Sequence, residues 1–248
     1  MIGLERLYTD SGRTRLEKAA EERWSCRSYG RPLSLEDWAA LSYAAQRYAL
    51  PGARLVLLRV DEALFSGTLL SMNRVSGCTA VAAVVMDSGI LRSRIHAGIL
   101  GESLCLEATA MGMATCWITG SYRRKLLNVP LQLREQVLGI IALGWPRDPA
   151  PQTRRRKALE SICTSDPAVW PDSCRRAAEL VRMAPSAMNL QPWMLSWENG
   201  CFAVDCAERT QLELGIALCH AELALRMPHA WDYGRSPREP AAFTQLEA

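Results

Sequence analysis

The stretch from about Ser93 to Gly112 is apolar nearly all round. A helix with that pattern has no face to give to water, so it is a central, buried helix with the rest of the chain built around it. A last helix spans about Glu208–Met227. The chain has 248 residues, room for one large domain or two small ones. A fold of that size buries roughly 70–75% of the surface its unfolded chain exposes, so it needs no disulfide or metal staple.

Composition narrows the class. With 49% hydrophobic and 22% charged residues, a disordered chain, a collagen-like fibre and a coiled coil are all excluded. The longest apolar runs, Thr79–Met86 and Leu138–Trp145, fall far short of the ~20 residues a membrane helix needs. The first residues, with Glu5 and Asp10, lack the apolar stretch of a signal peptide. The expectation is a soluble, cytoplasmic protein without a membrane partner. A net charge of +3 is too small for a nucleic-acid binder recognised by charge.

Lys18, Lys125 and Lys157 are the only lysines, so 26 of the 29 bases are arginine. Arginine's rigid fork suits bidentate contact with carboxylate or phosphate, although biased genome composition enriches it equally well. Nine cysteines read as reduced, mostly core-filling thiols. His96, His220 and His229 form no HExxH or i,i+4 pair, so no metal site is expected.

Periodicity and breakers set the elements. A helix-compatible stretch runs from about Arg13 to Arg23, and Ser34-Leu35-Glu36-Asp37 resembles a capping box opening a helix to about Tyr48. Ala53–Val60, Thr79–Met86, Thr115–Ile118 and Gln136–Leu143 read as short extended segments, the last ended by Gly144-Trp145-Pro146. A surface connection follows at Arg147–Thr153, then the basic run Arg154-Arg155-Arg156-Lys157. Asp172–Met183 is helical, and Trp193–Trp197 and Cys201–Asp205 are strands joined by the hairpin signal Asn199-Gly200. The tail from Pro228 is rich in Pro, Gly and Arg and is expected to be loosely held.

The two halves resemble each other. At a constant offset the long helices match at Leu100/Leu214, Gly101/Gly215, Leu104/Leu218, Cys105/Cys219, Ala110/Ala224 and Met113/Met227. Two buried helices can share Leu and Ala by period alone. The common Leu-Gly-x-x-Leu-Cys core in the same helix–strand–helix context favours an internal repeat, with the second copy shorter. The expected division is 1–165 and 166–248.

No GxGxxG, GxxxxGKS/T or GxSxG motif is present, so if the chain is an enzyme a bound cofactor is expected to carry the hard chemistry. Three segments suit a phosphorylated cofactor. If Arg23-Trp24-Ser25-Cys26-Arg27 is extended, Arg23, Ser25 and Arg27 share one side, although a plain polar loop after a helix fits as well. Arg154-Arg155-Arg156-Lys157 is either a solvated face or an anion contact. Between Pro185 and Pro192, the residues Ser186, Asn189 and Gln191 place hydroxyl and amide groups on a stiffened loop that suits a planar heterocycle.

The loop Pro185-Ser186-Ala187-Met188-Asn189-Leu190-Gln191-Pro192-Trp193 resembles the PSAxNxQPW signature of the FMN-dependent nitroreductase superfamily. Arg23-x-Ser25-x-Arg27 resembles that family's RxSxR segment, and Gly112–Gly120 the segment beside the flavin's reactive edge. Leu143-Gly144-Trp145-Pro146 and Arg154-x-Arg156-Lys157-x-Leu159 resemble its LGxP strand end and late basic residues. The resemblance covers roughly Leu16 to Met227. It implies an α+β fold with a mixed, mainly antiparallel sheet flanked by helices. It also implies FMN contacts at Arg23, Trp24, Ser25, Arg27, Trp117, Ile118, Thr119, Gly120, Arg154, Arg156, Pro185, Ser186, Ala187 and Asn189, with no side-chain acid or base assigned. Asn189 would bond the pyrimidine side or the ribityl chain.

In the usual family order PSAxNxQPW follows soon after RxSxR, whereas here Ala49–Arg54 holds that place and the motif comes late. This order resembles a bacterial branch of the family. In family dimers the PSAxN loop comes from the partner protomer. The repeat therefore implies an internal pseudo-dimer with one FMN per chain, a homodimer being the alternative. The implied reaction is reduction of FMN by NAD(P)H, then transfer to an electron-poor small molecule such as a nitroaromatic or quinone. The alternatives are an FMN carrier or sensor, another flavin chemistry, and a flavin-free interaction protein. Within Asp61–Ser76, the residues Phe65, Met72, Asn73 and Arg74 either shape a pocket or form an ordinary connection.

Overall fold

The computed structural model describes residues 4, 7–66, 75–206, 210–225, 230–233 and 241–245. Among them the helices are α1 (Asp10–Glu22), α2 (Leu35–Arg47), α3 (Ser93–Ala110), α4 (Asp172–Met183) and α5 (Gln211–Ala224). The strands are β1 (Tyr29–Arg31), β2 (Ala53–Arg59), β3 (Ala80–Asp87), β4 (Ala114–Ile118), β5 (Glu135–Pro146), β6 (Trp193–Glu198), β7 (Cys201–Cys206), β8 (Asp232–Tyr233) and β9 (Ala241–Gln245). The chain divides into two compact units, Glu22–Arg154 and Met1–Glu21 with Arg155–Ala248. The cuts fall at 21/22 and 154/155.

In the unit Glu22–Arg154 the sheet runs β1-β5-β3-β2 with β4 also on β5, and every strand pair is antiparallel. The unbroken apolar β3 is buried along its length because α3 covers one face and a second cluster covers the other. That cluster joins Val81, Cys116, Ile118, Ile140 and Ala142 of the sheet to Cys26, Tyr29, Phe65 and Tyr122. The capping box at Ser34 and Asp37 starts α2 as expected, with Asp37 N bonded to Ser34 Oγ at 3.1 Å and Ser34 N to Asp37 Oδ2 at 2.8 Å.

Nearly every residue of α3 is buried, as its all-round apolar pattern requires. It ends in a Schellman turn: Gly112 N bonds Thr109 O at 2.9 Å and Met113 N bonds Ala108 O at 2.9 Å. Gly112 has φ +84°, a conformation in which a side chain is strained, so the chain can turn straight into β4.

In the other unit the sheet runs β6-β7-β9-β8, again all antiparallel, with α4 and α5 packed together and α5 buried along most of its length. Asn199 and Gly200, at φ +52° and +75°, make the expected tight turn between β6 and β7. The strand order β2-β3-β5-β4 of the first sheet has the same sequence order and sense as β6-β7-β9-β8 of the second. Each of these four-strand sets has a helix before its first strand and a buried helix between its second and third in chain order.

One expectation is corrected. The composition of the tail predicts a loosely held segment, yet in its described part β9 pairs with β7 along its length and β8 pairs with β9. The Pro, Gly and Arg content of the tail hid the short run 241–245 that completes the ladder. Met227, His229, Met72, Asn73 and Arg74 lie outside the described residues.

Candidate functional site

Within Glu22–Arg154, the chain leaving α1 lies against the end of β4. Cys26 N bonds Thr115 O at 3.0 Å, and Ser25 forms an isolated parallel bridge with Thr115. Farther along, Tyr29 N bonds Ser76 O at 3.0 Å, Ser76 N bonds Arg27 O at 2.9 Å, and Arg147 N bonds Ser28 O at 3.0 Å. The Tyr29 hydroxyl, 3.0 Å from Cys26 O and 3.2 Å from Ala142 O, locks the same segment from below. Burial raises the Tyr29 pKa well above its ordinary value, so it acts as a neutral donor.

This anchoring gives the three alternating residues different exposures. Arg23 is buried, Ser25 is half-buried and Arg27 is exposed. No carboxylate lies within ion-pair reach of Arg27 among the described residues. Trp24 packs on the cluster beneath the sheet. Arg154 donates through Nη1 to the carbonyl of Arg23. Ile118 is buried, Trp117 half-buried, and Thr119 and Gly120 are exposed, with open space where a Gly120 side chain would stand.

Arg23 sets a physical puzzle. Its side chain is 1% exposed, and its Nε stands 3.5 Å from Glu102 Oε1. Nε and Nη1 nonetheless have no hydrogen-bond partner among the described residues. Thr115 Oγ1 is likewise buried and without a partner. Buried donors left unspent cost about 1–3 kcal/mol each and mark a place where an acceptor belongs. A phosphorylated cofactor carries such acceptors, so Arg23, Ser25, Arg27 and Arg154 fit an FMN phosphate and ribityl chain by donor chemistry.

In the other unit the loop Pro185–Trp193 is held by its own polar groups. Ser186 Oγ accepts from Gln191 N at 2.8 Å. Arg156 Nη1 donates to Asn189 Oδ1 at 3.0 Å and Nη2 to Met183 O at 3.0 Å, while Asn189 Nδ2 donates to Arg155 O at 3.1 Å. Gln191 is buried, and its Oε1 accepts from Lys157 N at 2.9 Å. Met188, Asn189 and Gln191 have φ of +49°, +57° and +48°, strained values for such residues. Pro185 is buried and Ala187 exposed.

The basic run is therefore split. Arg154 belongs to one unit and Arg156 to the other, where its guanidinium braces the loop. The Asn189 amide, expected to face a ligand, bonds this strand with both its oxygen and its nitrogen.

Burial pushes the Cys26 and Cys116 thiols up, those of Cys78, Cys163 and Cys174 to about 11 and that of Cys206 to about 12, so all stay protonated at neutral pH. Sequence reading passed over Glu102 and Glu107. A carboxylate inside an otherwise apolar helix was the available signal.

A sheet and buried helix of this kind, with an arginine-bearing segment laid on the strand after that helix, define a nitroreductase-like fold. The family model described as "Putative TM nitroreductase" matches residues 15–225, and the chain belongs to that family. Among solved structures, a "putative nitroreductase" from Thermotoga maritima aligns over 94% of each chain at 22% identity, with a TM-score of 0.68. A "putative nitroreductase in complex with FMN" from Desulfovibrio desulfuricans aligns over 63% of this chain and 98% of its own at 20% identity, with a TM-score of 0.48. No curated protein matches the chain. Among the described residues, no helix is long and apolar enough to cross a membrane.

Proposed function

We propose that this chain is an FMN-dependent NAD(P)H oxidoreductase that reduces electron-poor small molecules such as nitroaromatics or quinones. The observation that carries the reading is the Arg23–Arg27 segment. It is pinned to β4 through Cys26 N and Thr115 O, at 3.0 Å, with Arg27 free of any carboxylate among the described residues. Family membership supports it.

FMN would supply the hydride-accepting chemistry. Arg23, Arg27 and Arg154 would bind its phosphate, each charge-assisted bond contributing about 1.5–3 kcal/mol. Ser25 would orient the ribityl chain, and the β4 end at Trp117–Gly120 would offer backbone N–H groups at an open position. Arg156 acts by bracing the Pro185–Asn189 loop. On that loop Ser186 accepts one bond from Gln191 N and keeps its hydroxyl proton to donate.

We further propose that the matching strand orders descend from an internal repeat, that the second half stands in for a partner protomer, and that each chain binds one FMN. Nine free cysteines fit a reducing compartment, and the protein is proposed to work in the cytoplasm.

The test is an FMN titration followed by anaerobic mixing with NADH or NADPH. One FMN per chain and bleaching of the flavin absorbance are expected. FMN bound without bleaching would leave a flavin carrier or sensor. Two FMN per chain would sink the repeat reading.

A further inference from the structure

Glu102 projects from the buried helix α3 and is 0% exposed. Its Oε2 accepts the Trp117 indole N–H at 2.8 Å, while Oε1 stands 3.5 Å from Arg23 Nε without completing a hydrogen bond. Trp117 and Thr115 alternate on the face of β4 opposite Cys116 and Ile118, so Glu102, Trp117 and Thr115 converge on one side of the strand. The carboxylate thus compensates the Arg23 charge without consuming its donors.

A comparator exists in the other unit. Glu222 on α5 is also 0% exposed and also accepts a tryptophan indole, that of Trp231, at 2.9 Å. There the arginine is fully engaged: Arg13 Nη2 bonds Glu222 Oε1 at 2.7 Å, and Nη1 bonds the carbonyls of Glu222 and Leu225. One buried arginine–glutamate–tryptophan set is closed and the other is left open at its arginine.

We propose that Glu102 is a positioning residue that holds Arg23 as a standing buried cation with two unspent donors, which the phosphate of the bound cofactor then takes. This rests on the FMN reading above. Removing the Glu102 charge leaves Arg23 uncompensated until an anion arrives. The unliganded chain is therefore weakened, and a phosphate-bearing ligand offsets the loss.

The test compares wild type with Glu102→Gln, which keeps an acceptor for the indole, and with Glu222→Gln in the closed set. Thermal midpoints are read without ligand, with FMN and with riboflavin, which lacks the phosphate, and dissociation constants are read by flavin fluorescence. Glu102→Gln is expected to melt lower without ligand, to regain stability with FMN but not riboflavin, and to bind FMN at least fivefold more tightly than wild type. Glu222→Gln is expected to lose stability equally with and without FMN.

Should Glu102→Gln fail to fold, Glu102→Asp, which keeps but withdraws the charge, must move FMN affinity in the same direction by a smaller factor. Equal FMN affinity in wild type and in the Glu102 variants overturns the inference alone. Absence of FMN binding by the wild type overturns the proposed function and this inference together.

Discussion

Two buried ion pairs show how similar chemistry serves different ends. In both, a glutamate on a buried helix accepts a tryptophan indole and faces an arginine. Arg13 spends its donors on Glu222 and on two carbonyls and so joins α1 to the end of α5. Arg23 has the same charge environment but carries orphan donors. A fully satisfied buried pair fixes structure; on the inference above, the partly satisfied one keeps two donors for a ligand.

The largest expected effect lies at the closed pair. Arg13→Met strands the Glu222 carboxylate in the core, and stability should fall by about 3–5 kcal/mol. Arg23→Met also strands a buried carboxylate, that of Glu102, but breaks fewer hydrogen bonds, so it should cost less than Arg13→Met. Urea denaturation of the two variants tests that order. The reverse holds for FMN. Arg23→Met should weaken its binding about 10- to 100-fold, the worth of one charge-assisted bond, and Arg13→Met should not. Equal stability losses and equal affinities would erase the distinction.

Next in size is Gly101→Ala. A Cβ there would stand 2.3 Å from the Trp117 ring, so the ring must leave the seat from which its indole reaches Glu102. Overpacking of this kind costs about 1–3 kcal/mol. The indole emission of Trp117 should shift as its bond to the carboxylate is lost. An unchanged midpoint and spectrum would mean that the open set does not depend on this packing.

The sequence made the helices legible because apolar period, the Ser34 box and the Gly112 stop all reflect local physics. The middle strands were legible as unbroken buried runs, and Asn199-Gly200 as a turn. β1, β8 and β9 were not, because each is defined by the partner it pairs with. The same divide runs through the site. The residue types at Arg23, Ser25 and Arg27 fit either an anion contact or a plain polar loop, and the hydroxyl and amide groups of the late loop are a local, readable pattern. That the Asn189 amide would bond residues 155 and 156, or that Glu102 would sit beside Arg23, depends on long-range packing that no short pattern records.

A surface pair calibrates the buried ones. Arg54 meets Glu135 with two 2.7 Å bonds, and that hydrogen bonding holds the Glu135 carboxyl down to about 2. Because the folded pKa is depressed, the stabilisation is present above the ordinary carboxylate range near pH 4.5 and is lost as pH falls toward 2. Wild type should lose stability over that window, and Glu135→Gln should show a flatter profile. An unchanged slope in the variant would assign the acid sensitivity to other carboxylates.

The smallest effect expected is at the loop. Met188 is 87% exposed yet sits at φ +49° and ψ 21°, where a non-glycine residue is strained by roughly 1–2 kcal/mol. Met188→Gly relieves that strain but adds about 0.4–1 kcal/mol of unfolded-state freedom, so the chain should gain about 0.5–1 kcal/mol. The bonds from Arg156 to Asn189 and from Lys157 to Gln191 do not involve the Met188 side chain, so they remain to hold the turn. A thermal midpoint raised by a degree or two with unchanged FMN affinity would show that the loop's conformation is set by its closed polar network. A gain in stability with a loss of affinity would mean that the exposed thioether touches the ligand. The loop would then belong with the open arginine, as a group held ready rather than one already spent.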